Sequence, residues 1–167
     1  MKRLFKLLRD LLEVIIAAVV ITFILFNFVL FSADVVGSSM YDTLEHGDRG
    51  FSFIITRNIK IKRFDICVID SDKCHNLIIK RVIGLPNDKL VYANNKLYIN
   101  GEELREEYLN GAITEDFEIQ LKDDEYFVMG DNRQVSNDSR YYGTFKKDEI
   151  VATNFFVFYP FNRIGFK

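Results

Sequence analysis

Hydrophobic positions along this chain fall into two unlike regimes. From Leu11 to Phe31 they are nearly unbroken, LLEVIIAAVVITFILFNFVLF, with Glu13 as the only charge. That run matches the ~20 residues a helix needs to cross a bilayer core. It predicts a transmembrane anchor over 11–31, behind a basic segment 1–10 that carries Lys2, Arg3, Lys6 and Arg9. A cleaved leader usually has a shorter apolar core of ~7–15 residues and a small-residue cleavage site. Phe31-Ser32-Ala33-Asp34 is a poor one, so a retained anchor is expected. Lys/Arg excess marks the cytoplasmic flank of a membrane helix, which puts the amino terminus in the cytoplasm and residues 32–167 outside.

After Phe31 no second run of spanning length occurs. Short apolar or alternating runs stand between polar turns, the pattern of strands. Strands are predicted at Asp34–Gly37, Arg49–Thr56, Asp65–Asp70, Leu77–Gly84, Lys89–Ala93, Lys96–Asn100, Phe117–Leu121, Glu125–Met129 and Val151–Tyr159. Asn94-Asn95 tolerates positive φ and predicts a hairpin turn. Glu102–Asn110 reads as one short helical turn.

Composition sharpens this into a mainly β body. The chain holds 16 Phe and 8 Tyr and no Trp, and Phe and Tyr favour strands. The net charge of −2 splits into +2 over residues 1–31 and −4 over the remainder, with no strong basic face. That argues against a nucleic-acid partner. Cys67 and Cys74 either bridge a hairpin or remain two thiols. With His75 they fall short of a zinc ligand set, so no metal or other cofactor is expected.

Three stretches carry candidate chemistry. Gly37-Ser38-Ser39-Met40-Tyr41-Asp42-Thr43-Leu44 places two hydroxyls just after the anchor. In LIIKRVIG, Lys80 interrupts an apolar run. It either faces solvent from an edge strand or is buried, and burial would lower its pKa toward that of a usable base. Met129 to Arg140 is a loop dense in acids, arginines and hydroxyls. It is either a solvated loop with surface ion pairs or a scaffold fixed by bidentate Asp–Arg pairs, with Ser136 or Ser139 reaching a catalytic group. A Ser-His-Asp triad has poor material, since His46 and His75 are the only histidines. G-x-S-x-G and S-x-x-K are absent around Ser39. What remains is a serine served by a lysine from a distant strand.

Three of these segments, in order, resemble the type I signal peptidases (peptidase family S26). Ser39 to Leu44 is similar to their S-M-x-P-T-L segment, Lys80 to Asp88 to K-R-V-x-G-x-P-G-D, and Gly130 to Arg140 to G-D-N-R-x-x-S-x-D-S-R. Arg63 to Val68 is similar to a weaker R-G-D-I-V-V. The single anchor and short body resemble the Gram-positive branch. The resemblance implies coiled antiparallel β-sheets, shared with SOS-repressor proteases, on one anchor in the plasma membrane. It implies a serine endopeptidase that removes signal peptides from exported preproteins after small residues at −1 and −3. Its partners would be preprotein signal peptides, prepilins among them, and the lipid bilayer. By the same resemblance Ser39 is the nucleophile and Lys80 the general base. Ser136 orients Lys80, and Asp138 with Arg140 and Asp131 with Arg81 are structural ion pairs. Met40 lies at the membrane-facing surface. The Ser39 N–H holds the oxyanion, and Ser38 is the candidate second donor, because Gly37 stands where some relatives add a hydroxyl.

The departures are Asp42 for Pro, Phe64 and Asn87 for Gly, and Val135 for Asn. An Asp42 facing the site would raise the Lys80 pKa and weaken the base. Phe64 and Asn87 call for altered turns. Two other readings are a pilus-associated relative that acts on or chaperones pilins, and a self-cleaving SOS-type repressor, which would need a DNA-binding unit in place of the anchor.

Overall fold

The computed structural model describes residues 2–167. Helix α1 runs Lys2–Ile24 and continues through a π-helical turn, Leu25–Val29. Together they span 28 residues, about 42 Å at 1.5 Å per residue, enough for the ~30 Å hydrocarbon core. This helix takes in the basic segment and stops short of Phe31. Leu30 and Phe31 instead open strand β1, Leu30–Asp34, which pairs Leu30 with Phe53 and Asp34 with Arg49. Ladder pairing thus claims the last two residues of the apolar run.

The strands that follow are β2 (Arg49–Phe53), β3 (Ile66–Ile69), β4 (Ile78–Gly84), β5 (Lys89–Ala93), β6 (Lys96–Ile99), β7 (Glu102–Leu104), β8 (Phe117–Gln120), β9 (Glu125–Met129), β10 (Phe145–Lys146), β11 (Ile150–Tyr159) and β12 (Gly165–Phe166). They form two sheets. The larger runs β1-β2-β11-β3-β4-β9-β10, with β12 beside β11; the smaller runs β7-β6-β5-β8. Every ladder is antiparallel. The chain is a mainly β protein behind one apolar helix, as its pattern and composition predict.

Three predicted elements change. Val35–Gly37 is not strand: Val35 leaves the ladder to bond Asp48 and Gly47, and Gly37 turns at φ +96°. Ile54–Ile59 is a short helix, α2, rather than an extension of β2. Thr56 Oγ1 fastens it to Phe53 O at 2.7 Å and Thr153 Oγ1 at 2.6 Å. Glu102–Leu104 is a strand and not a helical turn, because Asn100 (φ 54°) and Gly101 (φ 90°) close a hairpin between β6 and β7. Asn-Gly is the strongest two-residue hairpin signal.

Phe64 (φ 69°) and Asn87 (φ 68°) keep the left-handed backbone that glycine would adopt freely. Holding a residue with a side chain there costs ~1–2 kcal/mol per residue. Phe64 offsets part of it through an edge contact with Tyr108 at 5.5 Å and a hydrogen bond from its N–H to Val82 O at 2.7 Å.

Three apolar clusters make the core. One, around Cys67, Val82, Val128 and Phe145, lies against one face of β4. The second joins β9 to the small sheet through Ile83, Leu90, Tyr92 and Phe127. The third underlies the Ser39 loop with Val35, Met40, Leu44, Ile66 and Phe155. Met40 is thus buried in the core and not displayed at a membrane-facing surface. Cys67 and Cys74 are two buried free thiols and form no bridge.

Candidate active site

Strand β4 lies inside the large sheet, between β3 and β9. Lys80 sits opposite Cys67, and Arg81 opposite both Ile66 and Met129. Side chains alternate faces along a strand, so Lys80 shares the face of Ile78 and Val82 while Arg81 faces the other way. Lys80 is 4% exposed, so of its two readings the buried one holds.

Ser39 stands on a tight turn closed by Tyr41 N–H to Ser38 O at 3.1 Å. Lys80 Nζ lies 2.7 Å from Ser39 Oγ and 3.1 Å from Ile79 O. Burial pushes the Lys80 ammonium below its ordinary pKa, against the pull of Asp138 and Asp131. Cys67 is a neutral neighbour, because burial pushes its thiol up to about 12. Asp42 does not face the site: it is exposed, and its Oδ2 accepts from Asn110 Nδ2 at 3.0 Å. His46 Nδ1 accepts from Gly37 N–H at 3.2 Å. Among the described residues, Lys80 is the side chain hydrogen-bonded to Ser39 Oγ.

On the other face of β4, Arg81 forks onto Asp131 at 2.8 and 2.6 Å and donates to Phe64 O at 2.8 Å. Thr43 Oγ1 adds a 2.5 Å bond to Asp131 Oδ2. The segment after Ser39 is thereby tied to the base strand through a buried ion pair. Asp138, fully buried, accepts from Gly130 N–H at 3.0 Å and from Arg140 Nε at 2.9 Å. Burial alone would raise its carboxyl; the Arg140 and Gly130 bonds outweigh that and hold it low, so it stays ionised. Arg140 in turn donates to Arg133 O at 2.7 Å. The 129–140 loop is therefore a fixed scaffold.

The expected bond from Ser136 to Lys80 is not formed. Ser136 Oγ faces Asp138 closely enough to favour its charge, yet meets hydrogen-bond geometry with no partner among the described residues. Ser139 Oγ instead accepts from Val128 N–H at 2.9 Å. Ser38 is exposed beside Ser39 on the wall of a cleft lined also by Val36, Ile78, Ile79 and Val135. Among the described residues no group of His, Cys, Asp and Glu could hold a metal ion.

Several contributors escape sequence reasoning. Asn132 N–H donates to Ser39 O at 3.0 Å, and Asn132 Nδ2 to Ser38 O at 3.1 Å. Gly130 passes so close that a Cβ there would collide with Ser39 O and the Ser136 side chain. Arg133 reaches Glu106, Tyr92 Oη (2.9 Å) and Thr114 Oγ1 (2.7 Å) beside the small sheet while its Nε grips Gly130 O at 3.2 Å. Burial, reinforced by Glu106, pushes the Tyr92 and Tyr108 phenols up, so both remain protonated donors to Glu106. Asn132 and Arg133 stand within a quoted motif, but nothing in the sequence points to Glu106.

The chain is similar to known proteins over most of its length. A model of the family described as "Signal peptidase, peptidase S26" matches residues 8–159. The chain is 40% identical over 166 residues to "Signal peptidase I S" of Bacillus subtilis (strain 168), covering 91% of this chain and 89% of that protein. It is 34% identical over 181 residues to "Signal peptidase IB" of Staphylococcus aureus (strain MRSA252), covering 95% and 94%. The crystal structure of a signal peptidase I from Enterococcus faecalis V583 superposes with a TM-score of 0.52 at 35% identity, covering 56% of this chain and 96% of that one. With that match across most of its length, the chain belongs to the signal peptidase, peptidase S26, family.

Proposed function

We propose that this signal peptidase cuts preproteins at the membrane surface by a Ser39 nucleophile and a Lys80 general base. The observation that carries this reading is the 2.7 Å approach of a buried, pKa-lowered amine to Ser39 Oγ. The neutral amine accepts the Ser39 proton as Oγ attacks the scissile carbonyl carbon. The tetrahedral oxyanion takes the Ser39 N–H. Collapse expels the mature chain's amine, which receives the proton from the Lys80 ammonium, and leaves the signal peptide esterified to Ser39. Lys80 then deprotonates water, which attacks the ester; collapse expels Ser39 Oγ, which takes that proton back from Lys80, and releases the signal-peptide acid, which ionises to the carboxylate. Activity should rise with pH through the lowered Lys80 pKa, because the protonated amine cannot act as base.

The cleft favours an extended chain with small side chains at −1 and −3. It is apolar where Val36, Ile78 and Ile79 line it, and an extended substrate can add its backbone to strand edges. Cleavage of a panel of preproteins and prepilins by the purified protein, with Ser39→Ala as control, tests the reading. Wild-type turnover by Ser39→Ala would remove it.

Membrane attachment rests on α1 and on what surrounds its end. Phe26 packs edge-on against Phe51 at 6.1 Å, and Phe51 stacks on Phe158 at 4.7 Å. Ile59 of α2 and Phe161 beyond β11 are 77% and 79% exposed, and α2 contacts both the π-turn and β11. Aromatic and apolar side chains at this level suit a lipid interface. The basic flank favours an amino terminus in the cytoplasm, a single pass and the β body outside. Ile59→Asp together with Phe161→Asp should slow cleavage of a preprotein held in vesicles several-fold and leave a short peptide in detergent unaffected. Equal rates on both substrates would argue that these side chains do not touch lipid.

A further inference from the structure

We propose that Asn132 is a positioning residue that aims the Ser39 N–H into the cleft as the oxyanion donor. The inference rests on the reading of Ser39 as nucleophile and adds the device that orients its amide.

The Ser38–Ser39 peptide is trans. In a planar trans peptide the C=O and N–H point in opposite directions. Ser38 O is drawn to one side by two donors, Asn132 Nδ2 at 3.1 Å and Tyr41 N–H at 3.1 Å. The N–H of the same peptide then points away from Asn132, and Ser38, Ser39 and Lys80 all line the cleft. The following peptide is pinned by the same residue, since Asn132 N–H donates to Ser39 O at 3.0 Å. Asn132 therefore grips both sides of the nucleophile and leaves Ser39 little freedom to rotate.

Two further observations agree. Among the described residues the Ser39 N–H donates to no other main-chain group, which leaves it available to a substrate in the cleft. Gly130 lets the 130–132 loop approach until a Cβ would strike Ser39 O, which is the closeness that Asn132 needs to reach both carbonyls. The donor is thus fixed before substrate arrives. A pre-oriented donor adds most where charge develops in the transition state.

The test compares full-length wild type, Asn132→Ala and Asn132→Asp in detergent. The substrate is a peptide spanning a signal-peptide cleavage site, with either oxygen or sulfur at the scissile carbonyl. Sulfur accepts N–H hydrogen bonds poorly, so the oxo-to-thiono ratio of kcat/KM reports the donor itself. Asn132→Ala should lower kcat on the order of 10²-fold, with KM and the pH midpoint unchanged and the oxo-to-thiono ratio reduced. Asn132→Asp keeps the size and the main-chain bond but lacks the Nδ2 donor. It should show the same losses, and it serves as the readout if the alanine variant melts early. A kcat near wild type, or a reduced kcat with an unchanged ratio, overturns the proposal. If Ser39→Ala still cleaves, the underlying reading fails instead; if Ser39→Ala is inactive and the Asn132 ratio does not move, only this inference fails.

Discussion

Lys80→Ala and Ser39→Ala should each reduce single-turnover cleavage of a preprotein by about 10⁴-fold or more. A positioned base alone contributes ~10²–10⁴, and groups that act as a unit lose nearly everything when either is removed. Lys80→Arg should not rescue, because a guanidinium stays charged and cannot accept the proton. The same substitutions separate catalysis from stability. The folded state depresses the Lys80 pKa by burial, so below the unfolded pKa of ~10.4 the unfolded chain binds that proton more readily. Stability tied to Lys80 therefore falls as pH drops through the interval between the two values. Lys80→Met, which removes the buried amine, should melt at least as high as wild type at neutral pH while having no turnover. Scanning calorimetry beside the kinetic assay checks both. A Lys80→Ala enzyme that retains about a tenth of wild-type activity would mean the proton goes elsewhere.

The largest stability effect is expected at Glu106→Gln. The Arg133 side chain is completely buried and the Glu106 side chain is 6% exposed. Taking the carboxylate away strands a guanidinium in the interior, which costs ~3–5 kcal/mol. Tyr92 Oη and Thr114 Oγ1 remain as acceptors, but neutral oxygens do not balance the charge. The damage should reach the site, since Arg133 Nε holds Gly130 O and Arg140 holds Arg133 O. Denaturant unfolding would show the midpoint falling, with loss of kcat in the fraction that stays folded. A change within ~0.5 kcal/mol, the range of ordinary surface substitutions, would show that the small sheet is not clamped through this pair.

What the sequence discloses and what it hides follow from the range of each interaction. The Asn94-Asn95 hairpin is visible because two adjacent residues determine their own positive φ. The Asn100-Gly101 hairpin carries an equally local signal, yet the acidic run behind it reads as a helical turn until the β6–β7 ladder is seen. Lys80 shows why strand periodicity is not enough. A lysine in an apolar run is the same string on an edge or an interior strand, and only the β3-β4-β9 order buries it. Met40 looks exposed beside two serines, but Phe155 and Val157 from β11 pack with it in one cluster. The Asp131–Arg81 and Asp138–Arg140 ion pairs join residues of the segments that already stand out in the sequence. Glu106 and the double grip of Asn132 lie beyond pattern reading, because one joins separate sheets and the other acts on main-chain oxygens that carry no residue signature.

The most direct measurement is an NMR titration of Lys80 in the full-length protein with ¹³Cε-labelled lysine, its resonance assigned by its disappearance in Lys80→Met. The account predicts that this amine loses its proton well below ~10.4, at the same midpoint at which kcat/KM for a signal-peptide substrate rises. A Lys80 that titrates like a free lysine, or an activity midpoint that leaves the amine still charged, would contradict it.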